Sequence, residues 1–449
     1  MNREHSVAGM SRRGLLGVGA AVLFGKKPGR TSDARPAILG GEPVRRKPFP
    51  SWPQVNELDE RNWLQALREC KWWRREGHFV DEFERAWAST LGVNHCIATA
   101  NGTGALMAAL EALEVGPKDE VIVGPYTFIA TVNAILARYA LPVFVDTDPE
   151  TMLIDPAKIE AAITPRTRCI LPVHIGGNVA DMDRILEIAK RRNIPVLEDA
   201  CQAHLAEWRG RKVGGLGQLG AFSFQKFKNV PGGEGGAVVT NDRQLYLHAY
   251  GFHSHYRSPG ENAPDLAICR NGINLRMPEF QAALLLAQLT RSEQYARKRE
   301  ANARYLTELL AEIPGIRPAR MYPGCTRNAY HMYMMRYEPE HFEGLSREMF
   351  IRALRAEGIP ISNGYGPLNR HPFLEHTLNS RMFRSIYTEQ ELRQWRERNH
   401  CPENDRLCEQ GLWFSQPVLL AEQSDMEDIA LAIQKIRRYA GELARRSSG

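Results

Sequence analysis

The sequence predicts an α/β fold, with a large domain built on a mostly parallel sheet and a smaller C-terminal α+β domain. Two patterns carry this. From Glu120 to Thr240 short β-rich runs alternate with helix-like stretches, the signature of a sheet covered by helices. From Pro278 to about Glu312 the apolar spacing is helical with little punctuation, as expected of one helix, or two, leaving one lobe for another. The length of 449 residues, 43% of them hydrophobic, allows two such lobes and a large core.

The first 45 residues read as a leader and linker. Residues 11 to 25 run from Ser11-Arg12-Arg13 into Leu15-Leu16 and an apolar stretch of signal-peptide length. The arginine pair resembles a twin-arginine signal, which predicts export of the folded protein to the periplasm. The plainer reading is a basic leader or a misassigned start codon, which leaves the protein in the cytoplasm. Residues 26 to 45, rich in Gly, Pro, Arg and Lys, look like a linker. The globular part is then expected to begin near Pro48, with the large domain at 46–290 and the small domain at 291–449.

Within the large domain the expected strands are Glu120 to Val123, Pro142 to Asp146, Arg168 to Val173, Pro195 to Glu198, Gly220 to Phe224 and Gly236 to Thr240. The expected helices are Ile129 to Arg138, Pro156 to Ile163 and Ala180 to Arg191. The last two strands follow one another closely, so part of the sheet is expected to be antiparallel. Loops at the carboxyl ends of parallel strands are where an active site belongs. The small domain shows a strand at Tyr330 to Tyr337 and helices at Ser346 to Glu357 and from Asp425 to about Leu443.

Composition narrows the function. The net charge of +6 is small for this length and the basic residues are spread along the chain, so nucleic acid is not an expected partner. Eight cysteines stand at wide spacings with no CxxC pair, which argues against a zinc site or a disulfide framework and predicts mainly buried thiols. No apolar run reaches the roughly 18 to 20 residues that span a bilayer.

Two segments carry chemistry. In Glu198-Asp199-Ala200-Cys201-Gln202 a β run ends in carboxylates at the sheet edge. An aspartate there can keep a ring nitrogen protonated, as pyridoxal 5′-phosphate (PLP) chemistry requires. Taken alone it is more often a helix cap or a metal ligand. In Gly220 to Asn229, running into Gly232-Gly233-Glu234-Gly235-Gly236, lysines precede a glycine-rich turn. A desolvated lysine can be neutral and nucleophilic, and glycines let the backbone close around a ring. Lys226 and Lys228 compete for that role.

Asp199 to Gln202, Phe222-Ser223-Phe224 with Lys228 five residues after the serine, and Gly233-Glu234-Gly235-Gly236 together resemble the DegT/DnrJ/EryC1/StrS aminotransferase family. The resemblance extends from about residue 40 to 440 and takes in Pro125 to Thr131, Pro172-Val173-His174, Asn274 to Met277 and Gln281-Ala282-Ala283. It implies the type I PLP-dependent transferase fold, PLP as cofactor, and a homodimer with shared active sites. It assigns the cofactor lysine and the proton-moving group to Lys228, and the partner of the ring nitrogen to Asp199. The phosphate would lie against Gly102 and Thr103, whose glycine-flanked segment precedes the helical run Ala105 to Leu113. A helix terminus contributes only about 0.3–1 kcal/mol, so further donors are expected. Family resemblance supplies Ser223, and Asn274 from the neighbouring subunit; the plain reading of Asn274 is a turn residue. It also places Phe128 on the cofactor face and Gln202 near the ring hydroxyl, although Phe128 taken alone reads as core.

His174, His204 and His331 read as satisfied core histidines outside catalysis. Trp72-Trp73-Arg74-Arg75 is a candidate for the substrate mouth, where Arg clamps an anion and Trp covers a sugar face. The resulting expectation is an aminotransferase that moves an amino group from glutamate or glutamine to a keto-sugar or cyclitol. The Phe224-Gln225 pair and the Gly233 to Gly236 segment look more like family members acting on inososes, or making aminohydroxybenzoate, than like those acting on nucleotide sugars. A sugar dehydratase of the same fold carries histidine where this chain has Lys228. A non-catalytic binding or regulatory protein has no need of Asp199, Ser223 and Lys228 together.

Overall fold

The computed structural model describes residues 32–259 and 270–447. The leader at 11–25 and Cys269 lie outside the described residues. The strands Leu141–Phe144, Glu120–Val123 and Thr167–Leu171 pair in parallel. A second sheet follows in the order Leu197–Asp199, Leu219–Ser223, Gly236–Thr240, His95–Thr99. Parallel bridges Ile170–Val196 and Val173–Asp199 join the two edge to edge. Val121, Ile122, Ile170, Leu171, Leu197, Ala221 and Val238 are all fully buried, as expected for strands covered on both faces.

Gly236–Thr240 runs antiparallel to both neighbours. The reason is local. The Phe224 amide donates to Gly235 O (2.7 Å) and the Lys226 amide to Gly233 O (2.8 Å), closing a hairpin too short for a crossover. Gly235 sits at φ 148°, a conformation that a side chain rarely adopts. The helices Gly102–Ala112, Pro156–Ala162 and Met182–Arg192 start at Asn101, Asp155 and Asp181, whose side chains accept backbone amides of the first turn.

The helical run after Pro278 is two helices, Glu279–Leu289 and Ser292–Ala311. At the break Thr290 Oγ1 and Ser292 Oγ donate to the carbonyls of Ala287 and Leu289. The small lobe holds an antiparallel sheet ordered Ile316–Pro318, Met332–Tyr337, Gly411–Ser415, Ser362–Asn363. Its core joins Tyr337, Phe342, Phe350 and Phe414 to the helices Arg347–Ala356 and Gln423–Arg438.

Two expected boundaries need correction. The packed body begins before Pro48: Leu39 and Val44 sit in the small-lobe core, and the Ala37 and Val44 amides donate to Glu357, which also pairs with buried Lys435. Arg45 is buried against Asp425 and Asp428. Apolar anchors between the Gly and Pro residues thus override the linker composition. The small lobe is also not continuous after residue 291. Residues 372–410 return to the large sheet, where Trp395 Nε1 donates to Pro142 O (2.6 Å) and Leu392, Trp395 and Leu407 share a core with Leu141 and Phe144. The cysteines follow expectation in the main: Cys96, Cys169, Cys325, Cys401 and Cys408 are buried, whereas Cys70 is exposed.

Candidate active site

Asp199, Ser223 and Gly102 meet at the carboxyl edge of the parallel strands, and Phe128 precedes the helix Ile129–Ala137, whose Thr131 bonds Asp199. The approach of the helix Gly102–Ala112 to Ser223 is so close that a Cβ on Gly102 would lie 2.6 Å from Ser223 Cβ and 3.1 Å from Cys201 Sγ. Only glycine permits it. Asn101 caps the Gly104 amide at 2.8 Å, so the helix begins at Gly102 rather than at Ala105, with the Gly102 and Thr103 amides at its open end. Those amides lie beside Ser223, which is 8% exposed, an arrangement of donors that could hold an anion.

Asp199 is 4% exposed and held from two sides. Thr131 Oγ1 donates to Oδ2 at 2.7 Å, and the Cys201 amide donates to Oδ1 at 3.1 Å. Thr127 Oγ1 lies 3.0 Å from Thr131 Oγ1 and continues the network. Gln202 accepts from the Gly176 amide at 2.8 Å and donates to Tyr365 OH at 3.0 Å. Burial pushes the Tyr365 hydroxyl up to about 12, against the Gln202 bond. Phe128 is not core: its ring is 53% exposed, although Tyr126, Thr127 and Thr131 around it are buried. Asn274 is exposed and folds back to accept the Arg276 amide at 3.3 Å, while its neighbour Leu275 packs on Gly104.

Lys228 follows the Ser223 strand on the closed hairpin, and its carbonyl accepts from Trp52 Nε1 at 3.1 Å. Burial pushes its amine below the ordinary lysine range, with Cys201 and Asp199 pulling the other way. Lys226 is exposed, its ammonium 5.1 Å from the Phe227 ring. The structure thus separates the two lysines that local sequence left in competition.

His174 is a satisfied core residue: Nε2 lies 3.1 Å from Glu198 and Nδ1 accepts the Ala180 amide. His204 is only half satisfied, bonding Ser223 O through Nε2 at 2.8 Å while its buried Nδ1 has no partner. Burial, with Lys228 adding to it, holds His204 down to about 3, and burial with Arg74 does the same to His253. Burial also keeps His331 well below its ordinary value. In the unfolded chain His204 and His253 protonate near pH 6.5, so their stabilisation is complete above that pH and is lost on acidification toward 3. Each costs roughly 1.4 kcal/mol per pH unit over that window. Urea unfolding at pH 7.5, 6 and 5 is expected to show this steep loss, and His253→Phe to flatten it.

Arg74 is not at a substrate mouth. It is 6% exposed, bonded to Glu84 at 2.9 and 3.0 Å and to Asp81 at 3.4 Å. Trp72 and Trp73 remain exposed, with Arg75 over the Trp73 ring. Arg74→Ala strands the buried Glu84 carboxylate, and urea unfolding is expected to show a loss of about 3–5 kcal/mol.

Three site residues had not been singled out. Thr131 stands four residues after Thr127 inside the Pro125 to Thr131 motif, and the entry into the helix Ile129–Ala137 brings the two hydroxyls to 3.0 Å. Tyr365 is 163 residues from Gln202 and carries no local signal. Trp52 lies in the segment before the first long helix, far in sequence from Lys228.

Residues 55–414 match the DegT/DnrJ/EryC1/StrS aminotransferase family. The chain is 39% identical over 426 residues to an L-glutamine:2-deoxy-scyllo-inosose aminotransferase of Streptoalloteichus tenebrarius, covering 91% of this chain and 98% of the relative. An enzyme of the same name from Streptomyces kanamyceticus is 36% identical, with 92% and 99% covered. Among solved structures, 3-amino-5-hydroxybenzoic acid synthase superposes with a TM-score of 0.78 at 33% identity, over 87% of this chain and 99% of that one. An aminotransferase from Psychrobacter cryohalolentis gives 0.74 at 30% identity, with 86% and 98% covered. The fold is the type I fold of PLP-dependent aminotransferases. By sequence and by fold, the chain belongs to the DegT/DnrJ/EryC1/StrS family of PLP-dependent aminotransferases.

Proposed function

We propose that this enzyme moves the amino group of L-glutamine to the ketone of a scyllo-inosose-like cyclitol. The observation that carries the reading is the single cluster formed by the buried Asp199, the Gly102–Ser223 contact and the desolvated Lys228. Relatives at 36–39% identity named for glutamine and 2-deoxy-scyllo-inosose supply the substrates.

The residues present fit PLP. The closeness of Gly102 to Ser223 makes a cradle that any side chain would fill, and the Gly102 and Thr103 amides and the Ser223 hydroxyl would hold the phosphate there. Asp199, aimed by Thr131 and the Cys201 amide, would face the ring nitrogen, Phe128 the ring face and Gln202 the ring hydroxyl. When bound, PLP draws electrons from the substrate carbon that loses its proton. Lys228, whose amine burial pushes below the ordinary lysine range, would hold the cofactor and, when free of it, would take the proton of the donor's α-carbon on Nζ. The test is transfer of label from L-[α-amino-15N]glutamine to 2-deoxy-scyllo-inosose, read by mass spectrometry. Ketone left unconverted, with no 15N-labelled amine formed after prolonged incubation, would overturn the substrate assignment.

The working unit in this reading is a homodimer. Val55, Trp63, Leu64 and Leu67 are 65%, 42%, 40% and 44% exposed, and with Leu284 several of them line a groove of 460 Å³. Asn274 faces outward, in keeping with a role across the subunit boundary. Sedimentation equilibrium is expected to give twice the 50.7 kDa chain mass and a shift toward monomer in Leu67→Glu. The leader supports twin-arginine export. Cell fractionation is expected to find the enzyme in the periplasm, and inside the cell when Arg12 and Arg13 are both replaced by Lys.

A further inference from the structure

Among the described residues four cationic side chains are buried: Arg45, Arg74, Arg299 and Lys435. Three face carboxylates. Arg45 pairs with Asp425 and Asp428, Arg74 with Glu84 and Asp81, and Lys435 with Glu357. Arg299, 1% exposed on the helix Ser292–Ala311, has no carboxylate within ion-pair distance among the described residues. Its Nε donates to Gln416 Oε1 at 2.8 Å, and its Nη2 has no partner. Gln416, also 1% exposed, leaves its own Nε2 unpartnered. Two side chains bonded to each other therefore each carry an unsatisfied buried donor. A buried guanidinium without an anion is costly to a fold unless an anion comes to it. Burial lowers this guanidinium to about 9, which leaves it charged at neutral pH.

The pair is tied to the lysine segment. The guanidinium carbon of Arg299 lies 5.5 Å from the Trp52 ring centroid, and Trp52 Nε1 donates to Lys228 O. The Gln416 amide donates to His331 O at 3.1 Å, and His331 Nδ1 lies 3.3 Å from Asn229 Oδ1. His204 and His331 both feel the charges of Lys228 and Arg299, which places the two cations in one neighbourhood. Burial pushes both rings below the ordinary histidine range, which disfavours added positive charge beside Arg299.

We propose that Arg299 and Gln416 form a carboxylate-binding site, and that it takes the α-carboxylate of the amino donor. The ionic edge of Arg299 and the amide of Gln416 supply the donors. This rests on the aminotransferase reading with glutamine as donor. Glutamine has one carboxylate, so its capture there orients the molecule and directs the adjacent amino group toward Lys228.

The test is calorimetric titration of glutarate into the PLP-loaded full chain, alongside the KM for L-glutamine. Arg299→Gln is expected to weaken glutarate binding roughly tenfold or more and to raise the glutamine KM in step. Gln416→Leu, which keeps the charge, is expected to weaken both by a smaller factor. A purely structural Arg299 gives the opposite pattern: a lowered unfolding midpoint in Arg299→Gln with glutarate affinity and KM unchanged, which overturns the site. Glutarate binding through Arg299 in an enzyme that accepts no nitrogen from glutamine overturns the donor assignment. Nitrogen transfer from glutamine with an unchanged KM in both variants leaves the aminotransferase reading standing and removes the carboxylate site.

Discussion

Lys228→Ala is expected to lower kcat by about 10⁴-fold or more, with the fold intact. In the proposed reading two functions depend on one Nζ atom, attachment of the cofactor and carriage of the proton, and general acid–base catalysis alone is worth roughly 10²–10⁴. Lys226 does not substitute, because it is exposed beside Phe227 and lies outside the cluster. Added methylamine is expected to restore part of the proton transfer, since a small amine can occupy the space the side chain leaves. Steady-state turnover with and without methylamine measures both effects. Unchanged turnover in the variant would remove Lys228 from the chemistry.

Asp199→Asn is expected to lower kcat by about 10²–10³-fold, the size typical for loss of one preorganised electrostatic group in a dry site. The amide keeps an oxygen to accept the Cys201 amide or the Thr131 hydroxyl, so geometry is largely preserved and the lost quantity is charge. Thr131→Val separates orientation from charge: the Asp199 carboxyl remains but loses one of its two anchors, and a smaller fall, about tenfold, is expected. Turnover of the two variants compared with their unfolding midpoints distinguishes a chemical loss from a structural one. A Thr131→Val enzyme as impaired as Asp199→Asn would mean that the carboxylate acts through its position alone.

Much of this candidate site is legible in the sequence. Parallel strands buried on both faces read as apolar runs, so the sheet from Glu120 to Thr240 could be laid out in order, and its carboxyl edge followed from topology. Asp199, Ser223 and Lys228 sit on or just after those strands, where short-range motifs survive. What stayed hidden depends on contacts between distant segments. Tyr365 reaches Gln202 across 163 residues, and Trp52 touches Lys228 across 176. Arg299 reads in sequence as one more charged residue of a helix rich in them; only its burial marks it. Arg74 misled for the converse reason, since its partner Glu84 stands ten residues away on a helix that turns back over it. The return of residues 372–410 to the large sheet had no local cue either, because their amphipathic helices fit either lobe by pattern alone.

The central claim is that Lys228 binds PLP and exchanges it for the nitrogen of an amino donor. The direct measurement is the visible absorbance of the purified full chain after incubation with PLP, before and after L-glutamine, in wild type and in Lys228→Ala. The account predicts a band from lysine-bound cofactor in the wild type that glutamine bleaches and a cyclitol ketone restores, and no such band in the variant. A wild type that shows no band after incubation with PLP, or one that Lys228→Ala shows equally, would contradict it.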